Sequence, residues 1–335
     1  VGGIWQLDPS FAGDGKFIWS LGGGDSRWPL LVGVKVMDDG RIVAAGNRNS
    51  WQDYFHVPFV SRLLAESSSD ETAPDPSFGI QGLFLFGDSS VWHDIGGFDV
   101  GPKGEVVAGG VTIGDNGSML VFRLLENGQL DPSFAGTGWR TVEVPNGYQE
   151  AARAVAIAPD GSIDLAGEAA RNGEGAILVV RLLESGELDP AFGTGGYSVI
   201  VSNALGTVLR ANAVAVQGDG RAVVAGEDYD GDPHFLAMRL TPDGALDPSF
   251  GSGGIASLVP TQPGVTQAFG AWDMAMQPDG RILLLGSCRV DGIYGACIAR
   301  LENDYVFADG FEGGSTRGWS SVCLAGPCPE GPRTR

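Results

Sequence analysis

Three aspartates alternate around a glycine in the stretch EDYDGDPH: Asp228, Asp230 and Asp232, with His234 closing it. Carboxylates crowded into a tight turn are a donor set that suits hard cations, since calcium takes several oxygen ligands at once. The stretch is too short for an EF-hand loop and lacks the glutamate that closes one. Calcium is therefore one expectation. An acidic surface hairpin that holds no metal is the other.

A second group of residues suits binding rather than metal chemistry. Trp28 lies in GDSRWPL, Trp51, Tyr54 and His56 in NRNSWQDYFHVP, Trp92 and His93 in GDSSVWHD, and Tyr229 and His234 in the acidic stretch. An aromatic ring beside polar groups serves both sugar stacking and protein recognition. The alternative is that some of these rings are small satellite cores under the loops, because large aromatics are mostly buried. A catalytic reading has less to work with. The chain has three histidines, and no HExxH, GxSxG or GxxxxGK[ST] motif occurs. A glycan hydrolase needs two carboxyl groups flanking the scissile bond. Glu143, with Asp88 or a loop carboxylate, is the pair the sequence offers. Asp164, in SIDLAG, interrupts an apolar run and is expected to face solvent.

The four cysteines fall as two close pairs, Cys288/Cys297 and Cys323/Cys328. Two local disulfides in an oxidising compartment are expected, the first bridging two neighbouring strands and the second closing a small loop. A single site built from four thiolates is the rival, but the spacings fit zinc patterns poorly.

The elements that must position these residues are set by a repeat. A marker reads LDPSFAGDG from Leu7, PDPSFGIQG from Pro74, LDPSFAGTG from Leu130, LDPAFGTGG from Leu188 and LDPSFGSGG from Leu246. A period of roughly 58 residues indicates a stacked or ring-closed array. Behind each marker lie a short β-rich run, an alternating run, a turn with Asp-Gly at its centre, a second run, and a block ending in Arg-Leu or Arg-Leu-like residues. Asp-Gly between apolar runs is a strong hairpin signal, because glycine takes the positive φ of a tight turn. No segment holds a helical period. We therefore expect an all-β chain forming a five-bladed β-propeller, with four antiparallel strands per blade. The propeller covers 1–301, with repeats near 7–74, 75–130, 131–188, 189–246 and 247–301, and 302–335 is a C-terminal extension. The run after each marker is taken as the first strand of its own blade. The second copy has Lys-Gly in GPKGEVVAGG, so a looser turn is expected there. The recurring Asp8, Asp75, Asp131, Asp189 and Asp247, and Arg62, Arg123, Arg181, Arg239 and Arg300, are read as turn-forming and blade-packing residues, since a role repeated in every copy is most simply structural.

The LDPSFGxGG, QPDGRIVVAG and FxxxRL blocks resemble the delta-60 repeat family of secreted or surface-associated bacterial proteins, over roughly residues 7–301. That resemblance implies a propeller-like fold and names no shared activity. The segment FADGFEGGSTRGWSS also resembles a short motif near the C-termini of some secreted proteobacterial proteins.

Composition narrows the partners. The formal net charge is −20, which opposes nucleic acid and anionic membrane surfaces. No run of 18 apolar residues occurs, so no membrane insertion is expected. The chain starts at Val1, for which a processed N-terminus and a trimmed chain are both explanations. The expected protein is a monomeric, extracellular, periplasmic or cell-surface scaffold. It is expected to be non-catalytic and to bind carbohydrate or protein through the loops where the copies differ. A glycan-processing hydrolase and a purely structural surface protein are the alternatives.

Overall fold

The computed structural model describes residues 6–18, 30–49, 56–87, 92–113, 117–145, 149–171, 174–201, 209–228, 234–258, 265–301 and 320–323. These contain twenty strands and no helix. The first blade is β1 (Leu30–Val36), β2 (Ile42–Asn49), β3 (His56–Leu63) and β4 (Leu83–Leu85). The second is β5 (Trp92–Val100), β6 (Val106–Ile113), β7 (Ser118–Leu124) and β8 (Trp139–Val142). The third is β9 (Gln149–Ile157), β10 (Ile163–Arg171), β11 (Glu174–Leu182) and β12 (Tyr197–Val201). The fourth is β13 (Leu209–Val216), β14 (Ala222–Asp228), β15 (His234–Leu240) and β16 (Ile255–Leu258), and the fifth is β17 (Val265–Met276), β18 (Ile282–Val290), β19 (Ile293–Leu301) and β20 (Ser320–Cys323). In every blade the strands lie side by side in chain order, and the paired strands with a described register are antiparallel. The expected five four-stranded blades of a β-propeller are present. The described residues divide into two compact units, Val1–Ile157 with Leu183–Glu187 and Ala158–Leu182 with Leu188–Arg335.

The phase of the repeat differs from the expected one. The run after each of the second to fifth markers is not the first strand of its own blade but the fourth strand of the preceding one, as when Leu83–Leu85 pairs with Phe59–Ser61. The cause lies in the marker, a compact turn that folds the chain straight back onto the strand before it. The Asp75 amide bonds the Arg62 carbonyl at 2.9 Å, and the Arg62 amide bonds the Gly82 carbonyl at 2.9 Å. Within the C-terminal extension, Ser320–Cys323 completes the fifth blade against β19. The Lys-Gly turn of the second copy is as tight as the others. Gly104 takes φ +78° and closes on Gly101 at 3.0 Å, matching Gly40, which closes on Met37 at 2.9 Å.

Third strands such as SMLVFRL and HFLAMRL are buried along nearly their whole length, so they read as continuous apolar runs without alternation. In the first unit, Val43, Ala45 and Val60 pack with Phe78, Phe86, Phe98 and Phe122. In the second unit, Phe235, Phe250 and Leu284 share a core with Cys288 and Cys297.

Those two cysteines form the expected disulfide between β18 and β19, with Cα atoms 5.9 Å apart. They are not directly opposite one another. Cys288 faces Gly295 and Cys297 faces Gly286, so the bridge runs diagonally past the intervening Ser287–Ala296 rung. On its other side Cys297 is the backbone partner of Cys323. Cys328 lies outside the described residues.

A buried arginine holds each of three markers. Arg62 donates from Nε to Asp75 Oδ2 at 2.8 Å and from Nη2 to Ser77 Oγ at 2.9 Å, and its Nη1 donates to the Glu126 carbonyl of the next blade. Arg123 repeats this with Asp131, Ser133 and the Glu184 carbonyl. Arg239 does so with Asp247 and Ser249. The guanidinium lies over the marker phenylalanine in each case, 4.9 Å from Phe78, 4.9 Å from Phe134 and 5.1 Å from Phe250. Burial opposes the charge on Asp75, Asp131 and Asp247. The following serine, through hydroxyl and amide, and the arginine outweigh it and hold these carboxyls below the usual range.

One copy departs, and the departure corrects the expectation for Asp164. The fourth marker reads DPAF, so Ala191 cannot offer Arg181 a hydroxyl. Arg181 turns instead to Asp164 and makes a two-point pair, 2.7 Å from Nε to Oδ1 and 2.8 Å from Nη2 to Oδ2. Asp164 is fully buried rather than solvent-facing, because a buried guanidinium without its carboxylate is far costlier than one apolar strand position. Arg181 also donates to the carbonyls of Pro242 and Gly220. Asp189 is left to cap its own turn through the Ala191 amide at 3.0 Å.

Asp164→Ala is therefore expected to destabilise the fold by about 3–5 kcal/mol in urea unfolding, because it strands Arg181. Asp189→Asn keeps the turn acceptor and should stay within about 0.5 kcal/mol. Equal losses would refute this division of roles.

Candidate functional site

At the end of each blade opposite the markers, the loops differ from copy to copy. Here His56, the first residue of β3, meets Asp94 and Trp92 of β5. The His56 Nδ1 atom lies 2.8 Å and 2.9 Å from the two carboxylate oxygens of Asp94. A carboxylate accepts only, so Nδ1 is the donor. The His56 ring is stacked on Trp92 with planes 3° apart and centroids 5.6 Å apart. All three residues are half-buried, so each keeps an open edge.

Two local features place them. Strand β5 carries a bulge between Ile95 and Gly97, which leaves the Ile95 amide and carbonyl turned out of the ladder. Asn47, at the end of β2, takes both: its amide nitrogen donates to the Ile95 carbonyl at 2.8 Å, and its oxygen accepts from the Ile95 amide at 2.9 Å. Asn47 is 5% exposed, so this clamp is a structural one. It fixes the start of β5 against the first blade and sets Asp94 beside His56.

His93 points to the other face of β5. It is buried, 3.2 Å from Thr112 Oγ1 through Nδ1, and edge-on to Phe86. Phe86 in turn stacks on Phe122 and meets Trp139 edge-on. His93 thus belongs to an aromatic core, while its neighbours Trp92 and Asp94 belong to the surface group. His234 opens β15 and is half-buried, with Asp228 as its backbone partner. Trp28, Trp51, Tyr54, Asp88, Tyr229, Asp230, Asp232 and the side chain of Asp228 lie outside the described residues. Among the described residues no group of three or more His, Cys, Asp or Glu could hold a metal. Asp94 is the residue of this group that the sequence alone did not single out. The run Trp-His-Asp was its signal, since alternate residues of a strand share a face.

The acids considered for hydrolysis are arranged otherwise. Glu143 follows β8, an edge strand rather than a first strand, and accepts a hydrogen bond from Ser118 Oγ at 3.3 Å. Near it, Glu150 is 3% exposed and accepts from the Val144 amide at 3.1 Å. Burial, with a smaller contribution from the charge of Glu143, pushes the Glu150 carboxyl up. A group so enclosed holds a strand end together and presents no acid to a substrate.

A cleft of about 540 Å³ lies at the marker end of the first unit, between Arg62 and Arg123. Its cations are committed: Arg62 to Asp75, Arg123 to Asp131 and Lys103 to Glu184. The His56 group, by contrast, keeps half-buried polar and aromatic edges.

Glu150 makes a measurable prediction. Its folded pKa lies above the ordinary glutamate value, so the native state binds this proton more tightly than the unfolded chain does. Stability then falls as pH rises through that range, and the cost persists above it. Glu150→Gln should raise Tm at about pH 7 and make little difference near about pH 3.5. A loss of Tm at neutral pH would show that the carboxylate stabilises the site.

The family comparison agrees with this architecture. The model of a family described as a β-propeller domain of unknown function, DUF5122, matches residues 104–134, 158–192, 217–250 and 277–304. Among curated proteins, none matches the chain by sequence. Similar solved structures include a protein of unknown function from Dyadobacter fermentans, at 12% identity and TM-score 0.45, covering 90% of this chain and 83% of that one. A hypothetical protein from Leishmania major is similar at 14% identity and TM-score 0.40, covering 83% and 86%. An exo-1,5-alpha-L-arabinanase from a bovine ruminal metagenomic library is similar at 12% identity and TM-score 0.38, covering 84% and 95%. By its blades, and by the family model that fits four of its repeats, the chain is a protein of β-propeller repeats.

Proposed function

We propose that this chain is a non-catalytic binding scaffold of the extracellular space, periplasm or cell surface, and that it takes carbohydrate at the Trp92–His56–Asp94 group. The observation that carries this reading is the convergence of an indole, an imidazole and a carboxylate from two adjacent blades at half-buried positions. A sugar ring needs an apolar surface for its C–H face and both donors and acceptors for its hydroxyls. Trp92 supplies the first, and Asp94 and His56 the second. The Cys288–Cys297 disulfide supports an oxidising compartment. The net charge of −20 disfavours polyanionic ligands, so a neutral or amino-bearing glycan fits best.

The test is a glycan array on the purified protein, followed by calorimetry on the strongest hit. Trp92→Ala and Asp94→Asn should each weaken binding about tenfold, about 1.4 kcal/mol. Ser133→Ala, at the marker end, should leave it unchanged. Binding that ignores the first two substitutions would move the site elsewhere. Release of reducing sugar from the bound glycan would overturn the non-catalytic reading.

A further inference from the structure

The fourth strands are not all fastened in the same way. Strands β4, β8, β12 and β16 each follow a marker, and each marker turn is bonded back to the third strand of its blade. The amides of Asp75, Asp131, Asp189 and Asp247 donate to the carbonyls of Arg62, Arg123, Arg181 and Arg239 at 2.9, 2.9, 3.0 and 2.8 Å. Strand β20 follows the stretch 302–319, which holds no marker. Its described attachment to β19 is a ladder of four pairs, from Arg300 with Ser320 to Cys297 with Cys323.

The last of those pairs offers a second means of attachment. Residues opposite one another in an antiparallel ladder stand on one face, with Cα atoms about 4.5 or 5.5 Å apart, and a disulfide spans Cα separations of about 4.4–6.8 Å. On the other side, Cys297 is already bonded to Cys288 of β18, whose Cα lies 5.9 Å away. One cysteine thus stands between two others whose backbone placement suits a bond. The distribution of cysteine follows the same division. None precedes Cys288 in the sequence, so the four blades fastened by markers carry none. Cysteines occur only in the blade whose fourth strand lacks a marker and in the residues that follow it.

We propose that Cys297 is the shared member of two alternative disulfides, and that transfer of its bond from Cys288 to Cys323 staples β20 to the fifth blade in place of the missing marker turn. The step is an internal thiol–disulfide exchange. The Cys323 thiol gives up its proton, and the thiolate attacks the Cys297 sulfur. The Cys297–Cys323 bond forms, the Cys288–Cys297 bond breaks, and Cys288 takes up a proton and stays in the core as a thiol. One disulfide and one thiol are present before and after, so no oxidant or reductant is consumed. Cys288 is fully buried among apolar side chains, which disfavour a bare thiolate, so the exchange is slow, on the order of minutes to hours.

The test uses the full chain carrying Cys328→Ser, which leaves three cysteines and hence one bond and one thiol. The protein is held at mildly alkaline pH, quenched in acid and alkylated under denaturing conditions, and its bridged peptides are identified by mass spectrometry. The expected result is alkylated Cys288 with a Cys297–Cys323 peptide, the two isomers lying within about tenfold of each other. A smaller share of that isomer overturns the proposal, and so does a Cys288–Cys323 bond with Cys297 alkylated. The unaltered chain, equilibrated with a glutathione-type thiol and disulfide, should yield the same bridged peptide. Capture of Cys323 by Cys328 in every chain overturns the proposal for the natural sequence. Stapling has its own readout. Cys288→Ala, oxidised to the Cys297–Cys323 bond, should exchange the amide hydrogens of β20 at least about tenfold more slowly than the same chain reduced. Equal rates, or no bond in the folded variant, overturn the stapling. If Cys288→Ala does not fold, the same comparison is made within the Cys328→Ser chain, whose two isomers differ in their bridged peptides. None of these readouts depends on carbohydrate binding.

Discussion

A guanidinium taken out of water must be neutralised and must find an acceptor for every N–H it carries, and much of this molecule is arranged to satisfy that demand repeatedly. Arg62 shows the solution in full. It lies at the end of a third strand, its acid and hydroxyl come from the marker that follows, its flat face rests on the marker ring, and its last donor reaches a carbonyl of the next blade. Three stretches of chain, distant in sequence, are thereby fixed to one planar ion. Apolar contact alone would hold the blades together, but it is not directional and would tolerate sliding. The planar, five-donor fork tolerates very little.

The same demand explains the exception. Where the serine is an alanine, an aspartate appears in the middle of an apolar strand and is buried completely. Seen alone, Asp164 breaks a hydrophobic pattern. Seen with Arg181 and Ala191, it restores the acceptors that copy lacks. Sequence reasoning read each residue against its strand neighbours, and the relevant partner was a strand away.

Much of the fold was legible from residues alone. Five markers, five hairpin turns and the absence of helical periodicity specify five four-stranded blades, and Cys288 and Cys297 lie close enough in a hairpin to bridge. The assignment of the marker strand was not legible. Nothing in LFLF or TVEV says whether it pairs backward or forward, because that depends on the marker turn reversing the chain against its own arginine. The candidate site was half legible. Loops rich in Trp, Tyr and His pointed to the end of the blade where His56, Trp92 and Asp94 meet. The division of the Trp92–Asp94 run between surface and core followed only from which face of β5 meets the first blade. Asn47 could not have been identified as the clamp without the bulge at Ile95 that needs it.

The shifted phase also bears on how such an array can change over time. Each of the last four sequence units gives its first strand to the blade behind it and keeps three for its own, so none of them is a blade. Loss or gain of one whole unit still leaves every blade with four strands, wherever the exchange falls. The joins are not equally interchangeable, however. Arg181 and Asp164 travel together in one unit, while the alanine they accommodate travels in the next. Moved beside a different neighbour, the alanine-bearing unit would meet an arginine that has no internal acid to turn to. Recombination between copies is thus open in outline and restricted at this junction, and the chain carries a memory of which of its repeats arose side by side.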